Sequence, residues 1–297
     1  MIDLHLHSTN SDGADTPEEL VLRGRQIGLK AMALTDHDNM GGVEDFLAAC
    51  RVNAMTGIAG IEISAAVEEG HGTLHILGYG LQPHHPSVVE NLGRVLDGRA
   101  WRNEQILEKL NGLGMELEWD EVLACAGEDV VGRVHFAQAL IDRDYVSSVP
   151  EAFEKYLAKG RPGYVDRYRL YPAEGIQMIR EAGGVAVIAH PFTWELDEAS
   201  LEAGLRELKE AGLMGVEAVY SEYNAEQTVT LLRLAKKLDL LTTGGSDYHG
   251  LAKSDLSLGK GFGSLCVPDS YLPPLLQALG PENPWVAVAE ETSRTGR

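Results

Sequence analysis

Ile2-Asp3-Leu4-His5-Leu6-His7 opens the chain with apolar residues at alternate positions and Asp3, His5 and His7 between them. Alternation is the period of a β-strand, whose successive side chains point to opposite faces. One face of this stretch is apolar, and the other presents a carboxyl and two imidazoles. A His-x-His pair alone carries little, because a strand face can hold two ordinary core or surface histidines. Farther along, however, the arrangement recurs. Ala31-Met32-Ala33-Leu34 runs into Thr35-Asp36-His37-Asp38, Val185-Ala186-Val187-Ile188-Ala189 delivers His190, and Leu240-Leu241-Thr242-Thr243 precedes Ser246-Asp247-Tyr248-His249.

Candidate strands fall at 2–6, 31–35, 58–63, 73–79, 185–189, 215–220 and 240–244, and helical segments separate several of them. This alternation predicts an α/β fold with a mainly parallel sheet. The first helix is signalled by Thr16-Pro17-Glu18-Glu19, an N-cap threonine followed by proline and a capping-box glutamate, with Gly28 as its stop. Pro172 and the pair Gly183-Gly184 bracket another helix. Polar residues cluster late in the strands or just after them. In an α/β barrel those ends converge on one rim, so residues more than two hundred positions apart can share a site. The set comprises six histidines, two aspartates and one glutamate: His5, His7, Asp12, His37, Glu62, His75, His190, Asp247 and His249. Imidazoles mixed with carboxylates are the donors that divalent first-row metals bind, which points to metal-assisted hydrolysis.

The 297 residues suffice for one large barrel or two modest domains, and 44% hydrophobic with 24% charged residues is ordinary for a globular chain. No run of 18 or more apolar residues suggests a membrane span, and Met1 leads directly into the first candidate strand, which leaves no room for a signal peptide. A cytoplasmic enzyme without a membrane partner is the expectation. Cys50, Cys125 and Cys266 are scattered and odd in number, and read as reduced apolar fillers. A net charge of −20 argues against tight binding to long nucleic acid. A small anion could still find a local basic site among Arg94, Arg99, Arg102, Lys109, Arg133, Arg143, Lys155, Lys159, Arg161, Arg167 and Arg169. These residues lie in a stretch of about a hundred residues between the fourth and fifth candidate strands, too long for an ordinary connection. Residues 87–168 therefore read as an inserted helical subdomain over the rim, within a barrel formed by 1–86 and 169–290. The segment Glu291–Arg297 lacks an apolar pattern and reads as a mobile tail.

Taken together, Asp3-Leu4-His5-Leu6-His7-Ser8, Ser11-Asp12-Gly13, Thr35-Asp36-His37-Asp38, Gly60-Ile61-Glu62, Leu74-His75-Ile76-Leu77-Gly78, Ala189-His190-Pro191 and Gly245-Ser246-Asp247-Tyr248-His249 resemble the polymerase and histidinol phosphatase (PHP) phosphoesterases. The resemblance implies a distorted (β/α)7 barrel and three divalent metal ions, manganese first, with iron or zinc as alternatives. It implies His5, His7, Glu62 and Asp247 at one ion; Glu62, His75 and His190 at a second; and Asp12, His37 and His249 at a third. It also implies a metal-bound hydroxide as nucleophile, with His37, His190, Asp247 and His249 at the reacting centre. Asp36 and Asp38 would orient the ligand between them. Gly132-Arg133-Val134-His135-Phe136-Ala137 and Gly160-Arg161-Pro162-Gly163-Tyr164-Val165 are similar to the subgroup that removes the 3′-phosphate of 3′,5′-nucleoside bisphosphates, some of whose members degrade short RNA from its 5′ end. Arg133, His135 and Arg161 are then the candidate phosphate contacts, and a nucleotide or short oligonucleotide is the expected substrate. Alternatives are a histidinol phosphate phosphatase, a 5′–3′ exonuclease and, from another class, a non-catalytic metal-binding module.

Overall fold

The computed structural model describes residues 1–126, 131–253 and 255–289. The segment Glu291–Arg297, read above as a tail, lies outside them. The chain separates into two compact units, Met1–Leu92 with the chain from Leu170 onward, and Gly93–Arg169.

The first unit is built on seven strands: β1 (Ala31–Leu34), β2 (Thr56–Ala65), β3 (Leu74–Tyr79), β4 (Val185–Ala189), β5 (Gly215–Tyr220), β6 (Leu241–Gly245) and β7 (Val286–Ala287). They lie in the order β1-β2-β3-β4-β5-β6, with β7 paired to β2. The expectation of a mainly parallel sheet needs correction. β1 with β2, β4 with β5 and β5 with β6 are parallel, but β3 runs antiparallel to both its neighbours, and β7 is antiparallel to β2. The connection of β3 explains this. Only residues 66–73 separate it from β2, and a parallel crossover needs roughly a dozen residues or more.

The opening segment also departs from a regular strand. Residues 2–6 form isolated bridges, Asp3 with Met32 in parallel, Ile2 with Val267 antiparallel and Leu6 with Tyr248 in parallel. The Asp3 amide donates to Ala31 (3.0 Å), Leu4 to Gly244 (3.1 Å) and His7 to Tyr248 (3.0 Å), while the Leu6 amide goes to the Thr35 hydroxyl (3.1 Å). The segment thus joins β1 to β6, the two ends of the sheet path, by contacts too irregular to count as a ladder. Its apolar residues Ile2 and Leu4 pack with Ala33, Ile58, Leu77, Val187 and Val267 in one fully buried cluster. Full burial of each large aliphatic side chain contributes about 1.5–3 kcal/mol, which fixes the register that turns His5 and His7 together to the other face.

The helix signals are realised. Pro17–Gln26 is capped by Thr16, whose hydroxyl accepts from the Glu19 amide (3.3 Å) while the Glu19 carboxylate accepts from the Thr16 amide (2.9 Å). Gly28 then takes a left-handed φ of 78°. Helix Pro172–Glu181 ends before Gly183, at φ 80°. Among the described residues, no helix is long and apolar enough to cross a membrane.

The second unit is helical. It carries most of the long helix Pro86–Gly112, followed by Trp119–Ala126, Arg133–Asp142 and the short helical turns Val149–Ala152 and Phe153–Leu157. Its own core contains Ile106, Leu110, Val122, Phe136, Leu140 and Leu157.

Candidate metal centre

All nine candidate ligands meet in the first unit, around the carboxylate of Glu62. This residue sits late on β2 and is fully buried. Its Oε2 lies 3.2 Å from His5 Nε2, 3.2 Å from His7 Nε2 and 3.0 Å from His37 Nδ1. Its Oε1 lies 2.8 Å from His75 Nδ1 and 2.9 Å from His190 Nε2. Asp247 Oδ1 completes the inner group, 3.1 Å from His7 Nε2 and 3.5 Å from His5 Nε2. Asp12, on the loop after His7, faces His249 Nε2 at 3.2 Å and His37 Nε2 at 3.8 Å. Three sets have donor atoms close enough to share an ion: His5, His7, Glu62 and Asp247; His37, Glu62 and His75; and His7, Asp12, His37 and His249.

Hydrogen bonding alone does not account for this arrangement. His5 Nε2, His7 Nε2, His37 Nδ1 and Glu62 Oε2 are buried atoms without a hydrogen-bond partner, although Oε2 lies beside all three nitrogens. Donors about 2.0–2.2 Å from a shared ion stand roughly 2.9–3.4 Å from each other, the separations found here. The residues therefore fit divalent metal ions, with Glu62 able to bridge through its two oxygens.

Secondary contacts aim these ligands. His5 Nδ1 pairs with Glu217 Oε1 (3.0 Å), which leaves Nε2 for the cluster. His249 Nδ1 lies 2.7 Å from the Asp247 carbonyl, and His190 Nδ1 lies 3.0 Å from the Thr193 hydroxyl. Asp247 Oδ2 accepts from Tyr220 (2.9 Å) and Lys253 (3.0 Å), so that Oδ1 turns inward. Asp3 is buried and accepts from the Ser246 amide and hydroxyl (2.9 and 2.6 Å) and from the Gly259 amide (2.8 Å), anchoring the loop that carries Asp247. Burial pushes the Asp3 carboxyl up to about 6, against these hydrogen bonds. His190 and Asp247 adopt left-handed backbone angles, φ 25° and 55°. Such conformations are costly for non-glycine residues and persist only where the surroundings enforce them.

Asp36 acts on a different loop from the one expected. Its carboxylate accepts from the Ser8 amide (2.7 Å), the Ser8 hydroxyl (2.7 Å) and the Ser11 hydroxyl (2.6 Å), so it fixes the turn that presents Asp12. Asp38 accepts from the Ser64 amide (2.9 Å). Glu217, Tyr220, Lys253 and Thr193 were not anticipated. For Glu217 a signal existed: Gly215-Val216-Glu217-Ala218-Val219-Tyr220 places one acid inside an otherwise apolar strand, where burial demands a partner.

His5, His7 and Glu62 are sealed from solvent, whereas His37, His75 and Asp12 are partly exposed. A substrate can therefore approach the Asp12–His37–His75 side. Without metal, burial disfavours the His7 imidazolium, but hydrogen bonds to Asp247 and Glu62 outweigh it and raise the pKa to about 9. Burial likewise opposes protonation of His5, and the carboxylates of Glu217, Glu62 and Asp247 override it. Burial and the neighbouring His7 push His37 the other way, down to about 3.

The sign for stability follows. His7 has a higher pKa folded than its ordinary 6.5, so its stabilisation is complete below about 6.5 and is lost as pH rises through about 9. Chelator-treated protein should melt at a progressively lower temperature over that window, and manganese should remove the slope by replacing the protons. A flat melting temperature from pH 6.5 to 9.5 in the metal-free protein would refute this.

Glu217→Gln supplies a second check, because it keeps the shape but removes the charge that orients His5. Outer partners of this kind typically contribute about 10–100-fold to metal affinity. A loss of that size is expected in a chelator competition, with the circular dichroism unchanged; wild-type affinity would show that His5 needs no partner.

The PHP domain family matches residues 3–158, more than half of the chain and including six of the candidate ligands. The chain belongs to the PHP family. A 3′,5′-nucleoside bisphosphate phosphatase from Chromobacterium violaceum is 32% identical to this PHP chain over 259 residues, covering 87% of it and 90% of the relative. A 5′-3′ exoribonuclease from Haemophilus influenzae is 33% identical over 271 residues, covering 91% and 96%. A Bifidobacterium adolescentis structure described as a metal-dependent phosphoesterase superposes with a TM-score of 0.77 at 29% identity, covering 93% of this chain and 95% of the other. The PHP architecture accounts for the curled sheet and for the convergence of its strand ends on one cluster.

Proposed function

We propose that this PHP phosphoesterase hydrolyses the 3′-phosphate of 3′,5′-nucleoside bisphosphates, converting adenosine 3′,5′-bisphosphate to AMP and phosphate. The observation that carries the reaction class is the Glu62 carboxylate, whose two oxygens face five imidazoles. The similarity to the Chromobacterium violaceum phosphatase supports the substrate. We assign His5, His7, Glu62 and Asp247 to one ion, Glu62, His75 and His190 to a second, and Asp12, His37 and His249 to a third. Manganese is the first candidate, with iron or zinc as alternatives.

When bound, such ions neutralise a phosphate monoester and make water a nucleophile near neutral pH. The chain's own groups do the rest. Glu62 and Asp247 supply negative charge that holds the cluster together. Glu217, Thr193 and the Asp247 carbonyl fix which nitrogen His5, His190 and His249 present. His37 and Asp12, at the open side, face the incoming phosphoryl group. Attack of water at phosphorus breaks the bond to the 3′-oxygen, and that oxygen leaves with a proton. In the helical unit Arg133, His135 and Arg161 are the phosphate contacts we assign. Arg133 Nη1 donates to the Leu157 carbonyl (3.2 Å) and its guanidinium lies over the rings of Phe153 and Tyr164, whereas His135 Nδ1 accepts from the Gly132 amide (3.0 Å).

The similarity to an exoribonuclease favours a second reading, removal of 5′-terminal nucleotides from short RNA. The net charge of −20 speaks for short strands over long ones. Manganese-loaded protein should release phosphate and AMP from adenosine 3′,5′-bisphosphate faster than it releases phosphate from histidinol phosphate. Turnover of histidinol phosphate or of a short oligonucleotide alone would overturn the substrate assignment.

A further inference from the structure

Asp12 is the most exposed of the nine candidate ligands, with its side chain 57% open to solvent. It belongs to one of the three donor sets, that of His7, Asp12, His37 and His249. The loop that carries it is tied at both ends. At the near end Asp36 grips Ser8 and Ser11, and the Ser8 carbonyl accepts from the Ser11 and Gly13 amides (both 3.0 Å). A Cβ on Gly13 would come within 2.2 Å of the His7 carbonyl oxygen, so the turn packs its backbone directly against the opening segment.

At the far end the tie runs to the loop of His249. The Ala14 amide donates to the His249 carbonyl (3.0 Å), and the Asp15 carbonyl accepts from the Thr9 amide (3.0 Å). The Asp15 carboxylate is buried and has two partners. Its Oδ2 accepts from the Tyr248 hydroxyl (2.9 Å) and its Oδ1 from Arg23 Nη2 (3.0 Å), on helix Pro17–Gln26. Tyr248 is itself buried, and its neighbours in sequence are the ligands Asp247 and His249.

A hydroxyl that donates to a carboxylate makes a charge-assisted bond, stronger than a neutral one, and burial shields it from competing water. Fixing several loop residues in one arrangement carries a large entropic cost. The Tyr248–Asp15 bond offsets part of that cost beside Asp12, whose own exposure leaves it few contacts to do so.

We propose that the Tyr248–Asp15 hydrogen bond, backed by Arg23, is a latch that closes the Asp12 loop onto the His249 loop and so sets how tightly the ion of Asp12, His37 and His249 is held. Asp15 and Tyr248 are positioning residues that act through Asp12 and His249. The latch stands on the hydrogen bonds alone; its consequence for an ion rests on the three-ion reading above. The other two donor sets take no ligand from residues 8–15, so the effect is confined to one ion.

The test is Tyr248→Phe in the full chain, which removes the hydroxyl and keeps the ring. In metal-free protein, hydrogen exchange should quicken at the Thr9 and Ala14 amides and stay unchanged at the Ser8 amide, which Asp36 holds independently. Titration with manganese, followed by electron paramagnetic resonance of the free ion, should show the weakest-held ion bound about 10–100-fold less tightly, the usual size for an outer partner, with the tighter ions unmoved. Turnover should fall at limiting manganese and recover when manganese is raised, since no group at the reacting centre has been removed. Asn224→Ala, which removes the N-cap of another helix, Ala225–Leu238, is the control. It should lower the melting temperature and leave exchange and ion affinity alone; a response equal to that of Tyr248→Phe would reduce the latch to general stability and overturn it. The double variant Tyr248→Phe/Asp15→Asn should hold the weakest ion no less tightly than the worse single variant. Unchanged exchange in Tyr248→Phe, or strictly additive losses in the double variant, would likewise overturn the latch. Faster exchange with unchanged ion affinity would overturn its positioning role. Wild-type protein that binds fewer than three ions, with exchange quickened in Tyr248→Phe, would keep the latch and sink the three-ion reading.

Discussion

Replacing Glu62 with glutamine is expected to empty the metal cluster and abolish hydrolysis while leaving the barrel folded. The substitution preserves shape and the β2 ladder, in which Glu62 pairs with Leu77. It removes the one charge that faces His5, His7, His37, His75 and His190 together. A neutral amide cannot offer two anionic oxygens to neighbouring ions. The loss of metal affinity should therefore exceed the roughly 10–100-fold typical of an outer partner. Elemental analysis after gel filtration, together with phosphate release, would check this. Wild-type metal content in Glu62→Gln would mean that the histidines and Asp247 suffice without a bridge.

The second large effect is expected at the open side. His37→Ala and His249→Ala each remove a ring that faces Asp12, and each should reduce turnover by on the order of 100-fold or more, the scale of losing one group that stabilises developing charge. The two differ in their neighbours. His249 stacks on His7 with ring centroids 4.1 Å apart, and its Nδ1 is tied to the Asp247 carbonyl, so its loss should also loosen the inner group. His37 lies beside Glu62 and Asp12 in a partly exposed position, and its loss should spare the ion proposed for His5, His7, Glu62 and Asp247. Metal counts near two for His37→Ala and lower for His249→Ala would agree with this; full activity in either variant would remove that residue from the scheme.

Much of this site is legible in the sequence because its donors sit where alternating apolar runs end. His37, His190 and Asp247 each follow a strand-like run, and the strand β4 falls at the expected Val185–Ala189. Less legible was everything that depends on which segments become neighbours. The reversed direction of β3 follows from a short connection whose meaning appears only once β2 and β3 are seen to pair. Lys253 and Tyr220 carry no local signal, since their partner Asp247 lies on another segment or past a turn. Arg102 is the plainest case. Within Trp101-Arg102-Asn103-Glu104 it reads as one more solvated helical arginine, and only burial among other arginines separates it from the exposed ones.

The opening residues that join β1 to β6 have a consequence for the timing of assembly. His5 and His7 leave the ribosome more than two hundred residues ahead of their partners Asp247 and His249. The ring cannot close, nor a full complement of ions be seated, until β6 and the loop carrying Asp247 and His249 have been made. Contacts at such separation carry a large loop-closure penalty and form slowly. Ion uptake should accordingly be among the last events of maturation, and a nascent chain stopped short of β6 should hold its first histidines without the means to retain a metal at the inner site.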